Sequence, residues 1–474
     1  MSRHVLVVGF GRTGKAVARV LAARGDRVRA ADARTAPALP IDSGDLRGIE
    51  LRTGTDGPEL LDGIDLVVPS PGVARTAPVL VEAGRRGIAV VSEIELAAAA
   101  IACPIVGITG TNGKSTTTTL VGLALAASGR RTFTGGNLGT PLVTALEASP
   151  DVPYDVCVAE VSSFQLEWVA RFRPSVGCCL NVTDDHLDRH PSFADYRDTK
   201  ARLFAAQTAD DWAVLNRDDP AVAELAPRLA ARVVTFGWTP VDEGAFVDGD
   251  TVVLRRPGKA EERYGLARTR LVGRHNVENV LAAVTAARLA GASPAAVQRA
   301  IDEIEPLPHR MALVVERGGV RWYDDSKATN VGAAVKSLES FAGSVVLLAG
   351  GVDKRGSYAP LAAAARRHVR AAVVFGASRE QIASALEEAG VVVERTVTLE
   401  AAVACAAARA HPGDTVLLAP ACSSFDQFAD YAARGRAFRA AVAVLGQDSS
   451  GGRRAPAPEK SAGAERHPHQ KGRR

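Results

Sequence analysis

Residues 110–115 combine the groups that hold a nucleotide phosphate, since glycines alternate with hydroxyl and lysine side chains in the order Gly-Thr-Asn-Gly-Lys-Ser. An apolar, β-branched run at 105–109 precedes them and predicts a buried strand, and a helix pattern follows. Backbone N–H groups freed by the glycines and by the helix start can point at phosphate oxygens, and Lys114 adds a positive charge. The hydroxyl of Ser115 can hold Mg²⁺. The stretch therefore predicts a nucleotide-binding loop.

The spacing differs from that of a standard Walker A loop. Such a loop has a glycine five residues before the glycine of Gly-Lys-Ser, where this sequence has Ile108. Residues 110–116 thus indicate a separate subtype, G-T-N-G-K-S-T. The alternative is a glycine-rich turn with an incidental lysine, and the combination of strand, glycines, Lys-Ser and helix argues against it.

Two further polar residues fall at the ends of predicted strands. Glu160 lies near the end of a strand at 155–161, and His186 follows a strand at 176–181. Ligands in open α/β sheets gather at the carboxyl ends of strands, so both side chains can face the same crevice as Lys114. A carboxylate and an imidazole there suit a divalent metal beside a triphosphate. The alternative for His186 is a hydrogen-bonded surface histidine.

Three other residues carry no spacing signal of their own. Lys200 lies on a helix pattern at 196–202, where a solvated face is the ordinary interpretation. Asn276 and Asn279 lie at the start of an alanine-rich helix that reaches Gly291, and each can either cap the helix or contact a base.

The first segment begins with a strand at 5–8 and continues into Gly9-Phe10-Gly11-Arg12-Thr13-Gly14, a helix, and a second strand that ends at Asp32. A G-x-G-x-x-G turn with an acidic residue about twenty positions later suggests a dinucleotide fold, and NAD or FAD is the obvious guess. The segment ends near Glu95, however, and a compact α/β unit can take the diphosphate of any nucleotide-like ligand on its helix N-terminus. Tight strand–helix packing without a ligand is the other alternative.

The third segment opens with a hairpin, whose strands at 311–316 and 320–323 flank Gly318-Gly319. Strands at 345–349, 371–375 and 415–419 then alternate with helices and predict a mostly parallel sheet. Polar clusters follow three of these strands, with the sequences DSKATN, GGVDK and PACSSF. The face that they form suits a small charged substrate.

The bulk properties describe a globular protein of about three domains. The chain has 474 residues, 47% of them apolar, with 57 basic and 53 acidic residues. From Asp448 onward, seven basic and three acidic residues place the whole +4 net charge on the tail, so the body shows no electrostatic signature of nucleic-acid binding. We expect domains at 1–95, 96–305 and 306–446 and a disordered basic tail at 447–474, which is a passive extension or an interaction arm.

The cysteines and the apolar runs indicate a compartment. Six cysteines without a C-x-x-C pair, mostly in apolar strand-like runs, are typical of buried free thiols in a reducing cytosol. The sequence opens on a strand without a signal segment, and no apolar run reaches membrane-spanning length. We therefore expect a cytoplasmic location, no membrane span and a monomer.

Taken together, the motifs resemble the Mur ligases of peptidoglycan synthesis over residues 1–445. In chain order they are GTNGKST, the G-G-N-x-G turn, EVSSFQ, NVTDDHLDRH, GRHNVENVLAA, LPHR, DSKATN and PACSSFDQF. The earlier motifs are shared with folylpolyglutamate synthase, whereas the last two are similar to the branch of the family that adds D-glutamate. The resemblance implies an α/β fold of three domains: a small Rossmann-like domain, a central ATPase domain of the P-loop type and a C-terminal Rossmann-like domain.

The resemblance also implies the ligands of each site. The cofactors would be ATP and two Mg²⁺ ions, and the substrates would be UDP-N-acetylmuramoyl-L-alanine and D-glutamate. ATP would be held by Thr111, Asn112, Gly113, Lys114, Ser115, Thr116, Thr117, Asn276, Asn279, Arg310 and Asp325. Mg²⁺ would be held by Ser115, Glu160, His186 and Lys200, the last as a carbamate formed with CO₂. The catalytic residues would be Lys114, His186 and Lys200.

The two substrates would occupy the outer domains. The uridine diphosphate sugar would be bound by Arg12, Thr13, Asp32, Arg34, Ser70, Pro71, Gly72 and Asn137, which replaces the NAD interpretation. D-Glutamate would be bound by Lys327, Thr329, Lys354, Ser424 and Tyr431. Tyr431 departs from the family's phenylalanine but keeps a ring, and Arg12 replaces a commoner apolar residue.

The chemistry implied is amide formation through an acyl phosphate. A carboxylate condenses with an amine only after one of its oxygens becomes a leaving group, which transfer of the γ-phosphoryl achieves. Four rival functions are compatible with parts of the motif pattern. A sibling ligase or a folate-polyglutamating enzyme would differ at DSKATN, a P-loop motor would need the standard loop spacing, and a dehydrogenase would use NAD.

Overall fold

The computed structural model describes residues 2–35, 43–148, 153–256, 258–354 and 356–445. The described chain forms three β-sheets that follow one another along the sequence. Apolar β-branched runs build the strands, and helices with one apolar face cover them. The α/β fold with mostly parallel sheets, which the sequence predicts, is confirmed.

The first sheet has five parallel strands in the order β3-β2-β1-β4-β5. The strands are β1 (His4–Val8), β2 (Arg27–Asp32), β3 (Ile49–Thr53), β4 (Leu66–Pro69) and β5 (Ala89–Val90). The helices are α1 (Arg12–Ala23), α2 (Pro78–Arg85) and α3 (Glu93–Ala98). The chain order reverses between β1 and β4, and crevices that bind ligands form at such points in open sheets.

The central sheet has nine strands in the order β14-β13-β12-β11-β10-β9-β6-β8-β7. The strands are β6 (Ile105–Thr109), β7 (Thr132–Gly136), β8 (Val156–Glu160), β9 (Val176–Cys179), β10 (Trp212–Asn216), β11 (Arg232–Gly237), β12 (Gly244–Asp248), β13 (Thr251–Arg255) and β14 (Glu262–Gly265). The helices are α4 (Lys114–Ala127), α5 (Ser163–Leu166), α6 (Phe193–Ala201), α7 (Pro220–Ala223), α8 (Arg274–Leu289) and α9 (Pro294–Glu303). Strands β6 to β12 pair in parallel, and β13 and β14 extend the sheet antiparallel.

The third sheet has six strands in the order β15-β16-β20-β17-β18-β19. The strands are β15 (Ala312–Arg317), β16 (Val320–Asp324), β17 (Val345–Gly350), β18 (Val369–Phe375), β19 (Val393–Arg395) and β20 (Thr415–Leu418). The helices are α10 (Val331–Leu338), α11 (Ala359–His368), α12 (Arg379–Glu388), α13 (Leu399–Arg409) and α14 (Tyr431–Val444). Only β15 runs antiparallel to its neighbour, as the predicted hairpin requires.

The apolar clusters show which sheets pack against each other. One apolar cluster includes Val7 and Val17 of the first sheet's layers together with Cys157 and Leu215 of the central sheet. The third sheet has separate clusters on its two faces. The first and central sheets are therefore joined by shared packing, whereas polar contacts dominate where the third sheet meets the central one.

The central sheet is larger than the sequence reasoning predicted. Strands β11 to β14 form an extension of this sheet that the sequence reasoning did not assign.

The remaining sequence predictions concern the cysteines, the apolar runs and the tail. All six cysteines are free, with Cys103 and Cys405 half-buried and the other four buried, which confirms the prediction of free thiols. Within the described ranges, no helix is both long and apolar enough to cross a bilayer. The predicted tail at 447–474 lies outside the described residues.

Candidate active site

The turn between β6 and α4 has the geometry of a phosphate loop. Gly113 adopts a left-handed conformation (φ 85°) and starts α4 without a side-chain cap, so the first N–H groups of the helix stay available. The Lys114 ammonium donates to the carbonyls of Gly110 (2.8 Å) and Thr111 (2.9 Å) and lies across the loop. The amide of Asn181, which follows β9, accepts from the N–H of Asn112 at 2.8 Å. The loop is therefore fixed by a neighbouring strand end before any ligand arrives.

Glu160 ends β8 beside this loop and fits a magnesium ligand. The residue is 3% exposed, and its Oε2 is buried without a hydrogen-bond partner, while Oε1 accepts from the Asn137 amide at 2.6 Å. An ionised, unpartnered carboxylate oxygen is costly unless a cation satisfies it. Within the described chain, no group of three or more His, Cys, Asp or Glu residues is placed so that it could hold a metal ion by itself. Mg²⁺ needs no such cluster, since it is bound by one or two carboxylates, a hydroxyl, waters and phosphate oxygens.

Lys200 lies on the buried side of the loop rather than in solvent. Its side chain is 1% exposed, donates to the Gly110 carbonyl at 2.9 Å and lies 4.5 Å from the centre of the Tyr196 ring. Burial lowers the pKa of Lys200 to about 7, and the nearby charge of Lys114 acts in the same direction. The interpretation of Lys200 as part of a solvated helix face is therefore wrong, because the side chain is buried against the loop. As a consequence, its amine readily loses the proton.

His186 lies at the edge of the same crevice. It has a left-handed backbone (φ 55°), and its ring packs edge-on against Phe164 at 4.8 Å between centroids. Burial lowers the pKa of His186 to about 4, so the imidazole is neutral at pH 7, as a metal ligand must be. The carboxylate of Asp185 lies 3.6 Å from its Nε2.

The third sheet reaches into the crevice through three polar side chains. Arg310 donates to the Ser115 hydroxyl at 2.7 Å, which leaves that oxygen a second lone pair for a metal. Asn330 donates to Asp185 at 2.8 Å, and Lys354 forms an ion pair with the same carboxylate at 2.9 Å. Burial, the largest single influence, acts to raise the pKa of Asp185, but the nearby charge of Lys354 and the hydrogen bonds from Lys354 and Asn330 contribute to a net lowering of the pKa.

A cleft of about 580 Å³ opens between the phosphate loop, the start of α8 and the third sheet. Its wall contains the predicted nucleotide residues Asn112, Gly113, Thr116, Asn276, Asn279, Arg310 and Asp325. Burial raises the pKa of Asp325 to about 6. The Asn279 amide donates to Asn276 at 3.1 Å inside the helix, so these side chains are paired with each other and line the cleft.

The residues predicted for D-glutamate are only partly brought together. Lys327 lines the nucleotide cleft, and its ammonium lies 4.0 Å from the centre of the Tyr431 ring. Burial lowers the pKa of Lys327 to about 7. Lys354 instead lines an adjoining cleft of about 770 Å³ with Asp185 and Asn330. Thr329 and Ser424 are absent from both linings as described, and Ser424 is 3% exposed.

All eight residues predicted for the sugar nucleotide line one open cleft of about 1530 Å³ at the strand ends of the first sheet. They are Arg12, Thr13, Asp32, Arg34, Ser70, Pro71, Gly72 and Asn137. Asp32 accepts from the Phe10 N–H at 2.8 Å and pairs with Arg34 at 2.9 Å. That hydrogen bond from Arg34 holds the pKa of Asp32 at about 2.

Four residues at the crevice were missed by the sequence reasoning. Asn181 fixes the loop, Asp185 and Asn330 join the central and third sheets, and Tyr196 packs under Lys200. Three of them stand inside quoted motifs, Asn181 and Asp185 in NVTDDHLDRH and Asn330 in DSKATN, so the motifs held the signal. Tyr196 precedes Lys200 by one helical turn, a spacing that places both on the same face of α6.

Comparisons with known proteins agree with this geometry. Three family models match in order: the Mur ligase MurD-like N-terminal domain at 3–92, the Mur ligase middle domain at 108–287 and the Mur ligase glutamate ligase domain at 309–422. The UDP-N-acetylmuramoylalanine–D-glutamate ligase of Geobacter metallireducens is 46% identical, and the alignment covers 94% of this chain and 98% of that protein.

Solved structures share the fold at low identity. A pseudomurein peptide ligase type C from Methanothermus fervidus has a TM-score of 0.61 at 19% identity and covers 94% of this chain and 100% of that one. The MurF ligase of Thermotoga maritima in complex with ADP has a TM-score of 0.57 at 18% identity and covers 81% and 91%. From the three matched domains and the near full-length identity, we conclude that this chain belongs to the Mur ligase family.

Proposed function

We propose that this protein is the ATP-dependent ligase that adds D-glutamate to UDP-N-acetylmuramoyl-L-alanine. The observation that carries the proposal is the 2.6 Å hydrogen bond between Asn137 and Glu160. Asn137 lines the cleft of the first sheet, and Glu160 lies beside the phosphate loop. A substrate whose nucleotide end fills that cleft can thus bring its distal carboxylate to the γ-phosphate of ATP.

The first step is phosphoryl transfer to that carboxylate. A carboxylate oxygen attacks the γ-phosphorus, the bond to the β-phosphate oxygen breaks, and an acyl phosphate and ADP result. Lys114 and the N-terminus of α4 neutralise the charge on the phosphoryl oxygens, which matters because both reactants are anions. Ser115 and Glu160 would hold a Mg²⁺ ion, which would supply a Lewis acid for the transfer. Arg310, from the third sheet, lies beside Ser115 and supports the phosphates.

Lys200 supplies a second anionic position in this scheme. Its buried amine is close to half neutral at pH 7, and only a neutral amine adds to CO₂ to give a carbamate. The carbamate and the neutral His186 would then hold a second magnesium ion, which would supply further positive charge for two negatively charged reactants. Without CO₂, the Lys200 amine donates a hydrogen bond to the Gly110 carbonyl.

The second step joins the amino acid. The amine of D-glutamate attacks the acyl carbon, and phosphate leaves from the tetrahedral intermediate. Lys327 and Lys354 give the third sheet two cations that suit a dicarboxylate, and Thr329, Ser424 and Tyr431 complete the proposed set. The Asp185–Lys354 ion pair and the Arg310–Ser115 hydrogen bond hold this sheet against the central one, an arrangement that excludes water from the acyl phosphate.

The domain limits and the setting complete the proposal. We place the domain boundaries near residues 95 and 305, because the three sheets span 4–90, 105–265 and 312–418. Six free cysteines support a reducing compartment such as the cytoplasm. We also propose that the enzyme acts as a monomer, since residues from its own three sheets line the proposed sites.

The test is phosphate release from ATP with UDP-N-acetylmuramoyl-L-alanine and one amino acid at a time. We expect release that depends on both substrates, with D-glutamate far better than L-glutamate, and a product heavier by one glutamyl residue on mass spectrometry. Preference for another amino acid would favour a sibling ligase of the family. Release without any amino acid would favour a simple ATPase and contradict the proposal.

A further inference from the structure

Two thiols meet where the first sheet connects to the central one. The sulfur atoms of Cys103 and Cys157 lie 3.6 Å apart, a non-bonded contact in which one S–H points at the other sulfur. Cys157 is fully buried in β8, whereas Cys103 is half-buried and lines an open cleft of about 1620 Å³. One sulfur is therefore accessible from solvent, and the other is held directly behind it.

The local backbone keeps the pair in place. Residues 99–104 form the linker between α3 and β6, and Cys103 is next to its last residue. The N–H of Cys157 donates to the Pro104 carbonyl at 3.0 Å, and Ile105 pairs with Cys157 in the sheet. The contact between the sulfurs thus joins the linker to the start of β8, at the opposite end of the strands from the phosphate loop.

The reactivity of the two thiols differs in the direction that disulfide chemistry needs. The hydrogen bond from Cys157 holds the pKa of the Cys103 thiol at about 7, which makes a substantial thiolate fraction at neutral pH. The same contact together with burial raises the pKa of Cys157. Cys103 is therefore the attacking thiol, and Cys157 is placed to resolve the product.

We propose that Cys103 and Cys157 form a reversible oxidation site that anchors the linker between the first and central sheets as a disulfide. The oxidant is a peroxide. The Cys103 sulfur attacks one peroxide oxygen, the O–O bond breaks, and a sulfenic acid and water form. The Cys157 sulfur then attacks the sulfenic sulfur, the S–O bond breaks, and a second water leaves with the Cys157 proton. The two thiols give up two electrons in total, and a dithiol reductant reverses the change.

The experiment treats the reduced full-length protein with hydrogen peroxide and counts thiols after denaturation. We expect the count to fall from six to four and to return to six with dithiothreitol. A tryptic digest without reductant should contain one linked pair, composed of residues 87–114 and 132–171. Amide hydrogen exchange of the linker 99–104 should be slower in the oxidised protein. An unchanged thiol count, a linked pair of other cysteines, or equal exchange of the linker in both forms would overturn the proposal.

Two variants separate this pair from general thiol oxidation. In Cys157→Ala, Cys103 should still become a sulfenic acid that dimedone traps, but no linked peptide should form. Cys405 is also half-buried, so Cys405→Ser is the matched control, and it should lose two thiols to peroxide as the unsubstituted protein does. Loss of the linked peptide in Cys405→Ser, or the absence of a dimedone adduct on Cys103 in Cys157→Ala, would contradict the assignment.

Discussion

Replacing Lys200 with methionine should raise stability and remove activity. The folded pKa of Lys200 is about 7 against an ordinary value of 10.5, so between these pH values the unfolded chain binds the proton and the folded chain does not. The free energy of unfolding therefore rises with pH across this window, and at pH 7 the lysine lowers it. A difference of about 3.5 pH units at about 1.4 kcal/mol each corresponds to roughly 5 kcal/mol, of which roughly 4 kcal/mol applies at pH 7, where the folded lysine is about half protonated.

The substitution does not leave the Gly110 carbonyl without a hydrogen-bond donor. Methionine has nearly the length of lysine, and the Gly110 carbonyl that Lys200 contacts also accepts from Lys114 at 2.8 Å. We expect Lys200→Met to be more stable at pH 7 by up to roughly 4 kcal/mol, with a difference that shrinks as the pH approaches 10. Turnover should be lost, because methionine cannot form the carbamate proposed for Lys200.

The assays are urea unfolding in CO₂-free buffer at pH 7 and pH 10, and phosphate release with both substrates. Lys259 lies exposed between β13 and β14, so Lys259→Met is the matched control and should change neither quantity. In Lys200→Ala, a small carboxylate added to the buffer should partly restore turnover. A Lys200→Met protein that is less stable at pH 7, or that turns over at the normal rate, would refute this reasoning.

Three further substitutions test the phosphate loop and its contacts. Lys114→Ala should lower turnover by at least ~10²-fold in the phosphate-release assay with an unchanged circular dichroism spectrum, since the ammonium lies across the loop and is proposed to serve the reacting phosphate. Arg310→Ala should raise the KM for ATP by roughly 10- to 100-fold through loss of the charge-assisted hydrogen bond to Ser115, with the KM for UDP-N-acetylmuramoyl-L-alanine little changed. Gly113→Ala should weaken ATP binding more than ~10-fold by calorimetry, because the new Cβ would lie 2.0 Å from Asn279 Oδ1. Gly129→Ala is the matched control. Gly129 has a similar φ (81°) but no neighbour within reach of a Cβ, so this variant should bind ATP normally. Normal ATP binding in Gly113→Ala, normal KM in Arg310→Ala or normal turnover in Lys114→Ala would each contradict the corresponding role.

Strand β6 and the loop after it could be predicted because their sequence signals lie within the elements themselves. The apolar run at 105–109 forms β6 with the predicted limits, and glycines mark the loop that follows it. The positions of Glu160, at the end of β8, and of His186, in the loop after β9, could also be predicted, since parallel strands present their carboxyl ends on one edge. Strands β11 to β14 were missed, because these strands towards the border of the sheet mix polar and apolar residues and carry no motif.

Contacts between sheets could not be read from the residues in the same way. Asp185 and Lys354 are far apart in the sequence, and nothing local to either residue indicates the ion pair between them. Burial of Lys200 depends likewise on the Gly110 carbonyl, which only the fold brings to it, whereas the Tyr196 ring lies one turn away on the same helix. The family resemblance supplied the Lys200 position in advance. The role of that residue, like the other assigned roles, stays a prediction until it is tested.

The most direct test of the account follows an oxygen atom. UDP-N-acetylmuramoyl-L-alanine carrying ¹⁸O in both oxygens of its alanyl carboxylate is incubated with the enzyme, ATP, Mg²⁺ and D-glutamate, and the released phosphate is analysed by mass spectrometry. If the carboxylate attacks the γ-phosphorus and phosphate then leaves from the acyl carbon, each phosphate formed carries one ¹⁸O atom. Release of unlabelled phosphate during product formation would mean that the carboxylate is not the phosphoryl acceptor, and it would contradict the central claim that ATP and the substrate acid meet in one crevice.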